Sequence, residues 1–210
     1  GLGDVYKRQG CRGLLMGLES ISPQNLRQSR KGFNAPNDYA EVVRKLHAHG
    51  IALQGCFVFG LDEDRPDVFL RTAEFAIEAR IDLPRFAIVT PFPNTGLYRR
   101  LESEGRILTK NWELYDGQHA VFEPKHMTCA ELERGTEAAW KHAYSVRGIA
   151  KRLLDSPAPW PVRIATNLGY RFYAHHLDRF YNCDWIIGRS TAKPLRDGYV
   201  PITVAGEPAR

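Results

Sequence analysis

The stretch that decides the fold is Asp38-Tyr39-Ala40-Glu41-Val42-Val43-Arg44-Lys45-Leu46-His47-Ala48-His49-Gly50-Ile51-Ala52-Leu53-Gln54-Gly55-Cys56-Phe57-Val58-Phe59-Gly60. Tyr39, Val42, Val43 and Leu46 recur at helical spacing, and the period stops at Gly50, a residue suited to the left-handed turn that ends helices. From Ile51 the pattern becomes a short apolar run that ends at Phe59 and Gly60, the signature of a buried strand. A helix that feeds a buried strand through one glycine is part of a parallel βα repeat.

The repeat extends both ways. Upstream, residues 13–18 form a short apolar strand closed by Glu19 and Ser20, and residues 22–34 read as a short helix with a glycine-containing turn. Downstream, the acidic loop Leu61-Asp62-Glu63-Asp64 leads to a helix opened by Pro66. Val68, Phe69, Ala73, Phe75, Ala76 and Ile77 supply its apolar side. A third strand is expected over 86–89, then the turn Thr90-Pro91-Phe92-Pro93-Asn94-Thr95 and a helix over 97–104. Three such units predict parallel strands with right-handed crossovers, hence an open α/β sheet or a barrel.

The pattern changes after residue 108. Residues 108–125 are irregular and aromatic, with one edge strand expected at 120–122. Residues 128–154 read as a single long helix with Thr128 and Glu131 as a capping box, weakened locally by Gly135 and Gly148. Pro157, Pro159 and Pro161 separate it from a second, aromatic-rich helix over 162–181. Residues 187–210 carry no clear period and are expected to be partly disordered. The division is therefore 10–108 for the βα units, 109–186 for a mainly helical C-terminal domain and 187–210 for an irregular tail. Residues 1–9 are set aside: Asp4-Val5-Tyr6-Lys7-Arg8-Gln9 resembles the in-frame translation of a transposase-based sequencing adapter.

The composition, 43% hydrophobic and 25% charged in 210 residues, suits a globular chain of one domain or one and a half. No run approaches the roughly 18 apolar residues of a membrane span. The net charge of +5 is spread among acids, as in Arg99, Arg100, Glu102, Glu104 and Arg106, and this argues against a nucleic-acid partner. Cys11, Cys56, Cys129 and Cys183 form no C-x-x-C pair, so neither zinc site nor disulfide framework is legible and a reducing cytoplasm is the expected location. Cys56 reads as a small core residue. His47 and His49 are expected to help the last carbonyls of their helix, and His175 and His176 read as helix histidines rather than metal ligands.

Parallel α/β folds bind ligands at the C-terminal ends of their strands, so the three strand closures carry the chemistry. Glu19 offers a carboxylate to a ribose diol; Gly60 lets a flat ligand approach the backbone; Thr90 to Thr95 hold the chain extended and cap a helix. Each has a purely structural reading too, as a solvated glutamate, a turn glycine and a stiff turn.

In order and spacing, these closures resemble the second half of the barrel of radical S-adenosylmethionine enzymes. The branch is that of cobalamin-binding methyltransferases, methylthiotransferases and oxygen-independent coproporphyrinogen oxidases. Gly17-Leu18-Glu19-Ser20 looks like the fourth-strand ribose motif, Gly55 to Gly60 the fifth-strand glycine motif, and Thr90 to Tyr98 the sixth-strand T-P-x-P-G-T-x-L-Y segment. Trp112-Glu113-Leu114-Tyr115-Asp116 and Phe122-Glu123-Pro124-Lys125-His126-Met127-Thr128 resemble the C-terminal domain of many cobalamin-binding members, a group that includes hopanoid methylases.

The resemblance implies an α/β fold made of the last three βα units of a TIM-like barrel followed by a helical domain. It implies S-adenosylmethionine as cofactor, with Glu19 and Ser20 at its ribose, Lys31 at its carboxylate, and Gly60, Val89, Thr90 and Pro91 around its adenine. It further implies a parent that forms a 5′-deoxyadenosyl radical and transfers a methyl group through cobalamin to a small, hydrophobic substrate. Cys56 stands where some relatives carry a ribose-binding aspartate, and Asn94 where glycine is common. The C-x-x-x-C-x-x-C run that holds the family's four-iron cluster is not in this sequence, so the chain alone is expected to be an inactive fragment with no catalytic residue and no metal ligand of its own. Two alternatives stand beside this reading: a non-catalytic α/β binding or scaffold domain, and a different barrel enzyme without an iron–sulfur cluster, in which Asp62 to Asp64 would form a cation site.

Overall fold

The computed structural model describes residues 8–28 and 36–177. Three parallel strands form one sheet in the order β1 (Gly13–Glu19), β2 (Ala52–Phe59), β3 (Leu83–Ile88). Helices α1 (Pro23–Gln28) and α2 (Tyr39–Ala48) connect β1 to β2, α3 (Val68–Glu78) connects β2 to β3, and α4 (Gly96–Ser103) follows β3. The α/β class and the parallel sheet agree with the sequence pattern. Helices α5 (Cys129–Ala143), α6 (Val146–Leu153) and α7 (Trp160–His175) complete the described residues.

The apolar run of β2 is less uniform in space than in sequence. Leu53, Gly55, Phe57 and Phe59 are buried while Ala52, Gln54, Cys56 and Val58 are half-buried. Side chains alternate across a strand, so α2 and α3 cover the first set. The second set faces the thinly covered side, where Gln54 Nε2 donates to Tyr170 Oη at 2.9 Å. Cys56 thus lies on that open side and not in the core. On the covered face Phe57, Phe86 and Phe59 stack with centroids 5.9 and 5.7 Å apart, and Phe69 of α3 meets Phe59 edge-on at 4.9 Å. Aromatic pairs of this kind contribute about 0.5–1.5 kcal/mol beyond the area they bury.

The third strand begins at Leu83, earlier than its apolar pattern indicated, and includes Pro84. Proline is tolerated on an edge strand whose missing N–H would point away from the ladder. That outer edge is β3's: Pro84 O accepts from Tyr144 Oη at 3.0 Å, Phe86 O accepts from Trp140 Nε1 at 2.8 Å, and Ile88 N donates to Gly117 O at 2.7 Å. At 120–122 the structure has a single antiparallel bridge, Ile107 with Phe122, in place of an edge strand.

The helix expected over 128–154 is two helices. Its start is as read: Thr128 N donates to Glu131 Oε2 at 2.7 Å and Glu131 N to Thr128 Oγ1 at 3.2 Å, a complete capping box. At Ser145 a new helix begins, with the serine Oγ accepting from Gly148 N at 3.1 Å. A Cβ at Gly148 would lie 2.6 Å from Ala143 O, so the tight break depends on glycine. Arg152 of α6 is fully buried and donates to Asp82 O at 2.5 Å and Ala143 O at 3.0 Å, closing the end of α5 onto the start of β3. Helix α7 begins at Trp160, with Pro161 inside its first turn, where a missing N–H costs nothing. It ends at His175; residues 178–181, where the pattern carried it further, and the tail 187–210 lie outside the described residues.

His49 Nδ1 bonds Lys45 O at 2.8 Å, as expected for a helix end, but His47 turns away and meets Asp82 Oδ2 at 2.8 Å, tying α2 to the start of β3. His175 and His176 bond carbonyls of their own helix, Arg171 O and Phe172 O. Among the described residues no helix is long and apolar enough to cross a membrane.

Gly135 separates helix propensity from packing. Alanine is normally worth about 1 kcal/mol more than glycine inside a helix, but a Cβ at Gly135 would overlap the Phe69 ring. Gly135→Ala is therefore expected to destabilise the fold by about 1–3 kcal/mol in urea denaturation, and Phe69→Leu in the same chain to recover part of that loss. A stabilised Gly135→Ala would refute the packing.

Candidate functional site at the strand ends

At the end of β1 the ladder slips. Gly17 pairs with Cys56 and Glu19 with Phe57, so Leu18 is an extra residue, a β-bulge of the kind that re-aims a side chain. Glu19 takes the left-handed conformation, φ 65°, which costs a non-glycine residue roughly 1 kcal/mol or more. Its carboxylate folds back over Gly17, into the space a Cβ there would fill. The bulge is held from both sides: Tyr39 Oη donates to Leu18 O at 2.7 Å, and Ser20 N closes onto the same carbonyl at 2.8 Å. Ser20 is buried and its Oγ accepts from Ser22 N at 3.0 Å.

The end of β2 is organised by a residue that the sequence did not single out for this role. Asp64 is 3% exposed, and its carboxylate accepts from Gly60 N at 2.9 Å, Leu61 N at 3.0 Å and Asn25 Nδ2 at 2.7 Å. Asn25 on α1, itself fully buried, accepts in turn from Glu63 N at 3.2 Å. The pair joins the loop after β1 to the loop after β2. Burial pushes the Asp64 carboxyl up to about 6, against the downward pull of its bonds to Leu61, Gly60 and Asn25. Gly60 needs its freedom twice over: φ is 93°, and a Cβ would stand 3.0 Å from Leu132 and 3.1 Å from Phe122.

At the end of β3, Val89 N donates to Phe59 O at 2.9 Å, Thr90 Oγ1 to Ile88 O at 3.1 Å, and Pro91 is buried. Thr95 caps α4, its Oγ1 accepting from Tyr98 N at 3.1 Å. Asn94, the departure from glycine, sits at φ 64°, a conformation asparagine accepts more readily than most residues. The loop through Gly117 lies over Ala87 and Thr90 and holds a second buried cluster. His119 Nδ1 is 3.0 Å from Asp116 Oδ2, and Glu133 accepts from Ala120 N at 2.9 Å. Burial opposes charge on His119, but Asp116 and Glu133 outweigh it and raise its pKa; burial raises that of Glu133. Read in sequence, His119 was one polar residue of an irregular stretch, with no signal that Asp116 and Glu133 would surround it.

Asp62 is 5% exposed and meets three cations: Arg100, Arg106 Nη1 at 3.2 Å and Lys125 Nζ at 3.1 Å. Burial would raise its pKa; the bonds from Arg100, Lys125 and Arg106 outweigh burial and hold it below the ordinary aspartate value. Asp62 and Asp64 therefore face different partners and do not form the cation site of the barrel-enzyme alternative. Among the described residues no three His, Cys, Asp or Glu side chains are grouped to hold a metal ion. A cleft of about 630 Å³ opens between α4 and the ends of β2 and β3. Of the residues named from sequence, Gly60 and Val89 border it, whereas Glu19, Ser20, Thr90 and Pro91 do not. Lys31 lies outside the described residues.

The Asp64 clamp has a pH signature. Its folded pKa, near 6, is above the ordinary 3.8, so the stability held by the protonated form is present below about pH 4 and lost as pH rises through about 6. Asp64→Asn cannot titrate. Relative to the unsubstituted chain, the variant is expected to gain on the order of 1–3 kcal/mol between about pH 4 and pH 7 in denaturant unfolding. A stability difference that is flat across this range would remove Asp64 as the titrating group.

No family model matches the chain. It is 36% identical over 157 residues to the bacteriochlorophyllide d C-12(1)-methyltransferase of Chlorobaculum tepidum, covering 75% of this chain and 34% of that protein. To the bacteriochlorophyllide d C-8(2)-methyltransferase of the same organism it is 26% identical over 163 residues, 77% of this chain and 36% of that protein. To the hopanoid C-2 methylase of Rhodopseudomonas palustris it is 28% identical over 95 residues, 45% of this chain and 18% of that protein. The chain spans about a third of the length of the first two relatives and less of the third. All three relatives are named for methyl transfer, and the strand ends described above lie in a chain related to methyltransferases.

Proposed function

We propose that this chain is the C-terminal part of a radical S-adenosylmethionine methyltransferase, that its three βα units belong to a TIM-like barrel, and that the helices after them form the family's C-terminal domain. The observation that carries the reading is the bulge at Leu18, which spends backbone strain to present Glu19 at a strand end. Strained residues at such positions are characteristic of ligand sites. The outer edge of β1 pairs with no strand among the described residues, which leaves room for the preceding units of a barrel.

In this reading Glu19 accepts hydrogen bonds from the ribose hydroxyls, with Ser20 fixing the turn beneath it. Gly60 and the backbone of Val89, Thr90 and Pro91 border the adenine, and Lys31 takes the amino-acid carboxylate. Bound beside a four-iron cluster whose cysteine ligands lie outside this chain, S-adenosylmethionine supplies radical and methyl chemistry. Cobalamin, where the parent uses it, belongs to a further domain, and a reducing cytoplasm is the compartment that suits such a cluster. The substrate is a hydrophobic small molecule, and the 36% identity to a bacteriochlorophyllide methyltransferase favours a tetrapyrrole. The 210-residue chain by itself is inactive.

Glu19→Gln in the full-length protein is expected to raise the KM for S-adenosylmethionine by about tenfold, the value of a charge-assisted hydrogen bond, while the iron–sulfur absorbance stays unchanged. An unaltered KM would remove Glu19 from the cofactor. Anaerobic iron–sulfur reconstitution of the 210-residue chain is expected to give no stable four-iron cluster; cofactor cleavage by that chain would overturn the fragment reading.

A further inference from the structure

Helices α6 and α7 turn apolar side chains to solvent. Among the described residues eleven large hydrophobic side chains are exposed, and seven of them fall within residues 146–172, so the exposed apolar surface is gathered on these two helices instead of scattered. Val146 and Ala150 of α6 and Leu154 just past its end recur every four positions and share one exposed side, with Arg147 and Lys151, also exposed, running beside them. On α7, Trp160, Ile164 and Leu168 repeat that spacing and are 66%, 41% and 56% exposed. The inward side of α7 is occupied: Tyr170 and Tyr173 pack on Trp140 with centroids 6.0 and 5.0 Å apart, and Asn167 is buried. Arg163 Nη1 donates to Leu153 O at 2.9 Å and Ser156 O at 3.1 Å, which ties the start of α7 to the end of α6 and brings Leu154 and Trp160 near one another.

Charge on this surface has one sign. Neither α6 nor α7 carries an acidic side chain; Asp155 between them is paired with Arg80, and Glu74, the acid that feels Lys151 and Arg147, is bonded to His142 at 2.6 Å. Exposed apolar rows with a tryptophan at one end, flanked by cations and free of acids, complement the headgroup and upper acyl layer of an anionic bilayer. A second copy docked on the same face would set like charges against each other. Preceding units of a barrel would add at the outer edge of β1, across the sheet from β3 and α5, on which α7 is seated.

We propose that α6 and α7 form a docking surface for the face of an anionic lipid bilayer, Trp160, Ile164 and Leu168 entering the headgroup boundary while Arg147 and Lys151 meet the lipid phosphates. Association of this kind is peripheral and reversible, and it requires no spanning helix.

The test is sedimentation of the full-length protein with vesicles of phosphatidylcholine alone or of phosphatidylcholine mixed with phosphatidylglycerol. The protein is expected to partition about tenfold more strongly onto the mixed vesicles, and the excess to fall as salt is raised. Arg147→Gln with Lys151→Gln should remove most of that excess and leave partitioning onto neutral vesicles unchanged. Trp160→Gln with Leu168→Gln should lower partitioning onto the mixed vesicles about tenfold. All four side chains are exposed, so the thermal midpoint of both variants should match that of the unsubstituted protein. A Trp160→Gln, Leu168→Gln protein that is destabilised or fails to fold would mean that the row is covered within the full-length protein, and would overturn the proposal. So would equal partitioning onto the two kinds of vesicle, partitioning onto neither, binding that survives both pairs of substitutions, or a dimer that Leu168→Gln alone dissociates.

Discussion

The outer edge of β3 is the constraint on which the arrangement depends. A strand at the edge of a buried sheet exposes backbone groups that must find partners. Here the partners come from side chains and a loop instead of a fourth strand. Trp140 of α5 and Tyr144 just past its end take the carbonyls of Phe86 and Pro84, and Gly117 takes the N–H of Ile88. The three groups stand on alternate residues of the strand, so one helix end and one turn cover much of the edge. Trp140 then lies edge-on to Phe86 at 5.6 Å and carries the aromatic stack onward to Tyr144, Tyr170 and Tyr173.

Sealing this edge sets the strand ends. With β3 held by α5 and the Gly117 turn, Val89 just past its end is fixed against Phe59 of β2. The loop of β2 is fixed in turn to α1 through Asp64 and Asn25. The chain of contacts reaches Glu19 through Tyr39, whose hydroxyl holds the bulge. Four loops thus have their relative positions set by buried hydrogen bonds, each of which would cost about 1–3 kcal/mol to leave unmade. Rigid loops at strand ends are the ordinary support of a ligand site in parallel α/β folds.

Much of this was legible in the residues because it is local. The helical period of Tyr39, Val42, Val43 and Leu46, the glycine stop at Gly50, and the capping box of Thr128 with Glu131 depend on neighbours a few positions apart. So does the cap that Thr95 makes for α4. The errors also had local causes. Pro84 hid the start of β3, because a proline inside a strand reads as a break unless its outward direction is known. The continuous apolar pattern after residue 128 concealed the break at Ser145, which rests on the close approach of Gly148 to Ala143.

Sequence by itself determined the class of the fold, the order of its βα units and the three strand closures, since each rests on hydrophobic period and turn chemistry within one segment. Tertiary structure decided what those closures can do. The carboxylate of Asp64 meets Asn25 from 39 positions away, Asp62 gathers cations from 38, 44 and 63 positions away, and His119 is enclosed by a helix that starts ten residues later. Burial and long-range pairing fix the charge and direction of such groups, and neither is a property of a segment read alone.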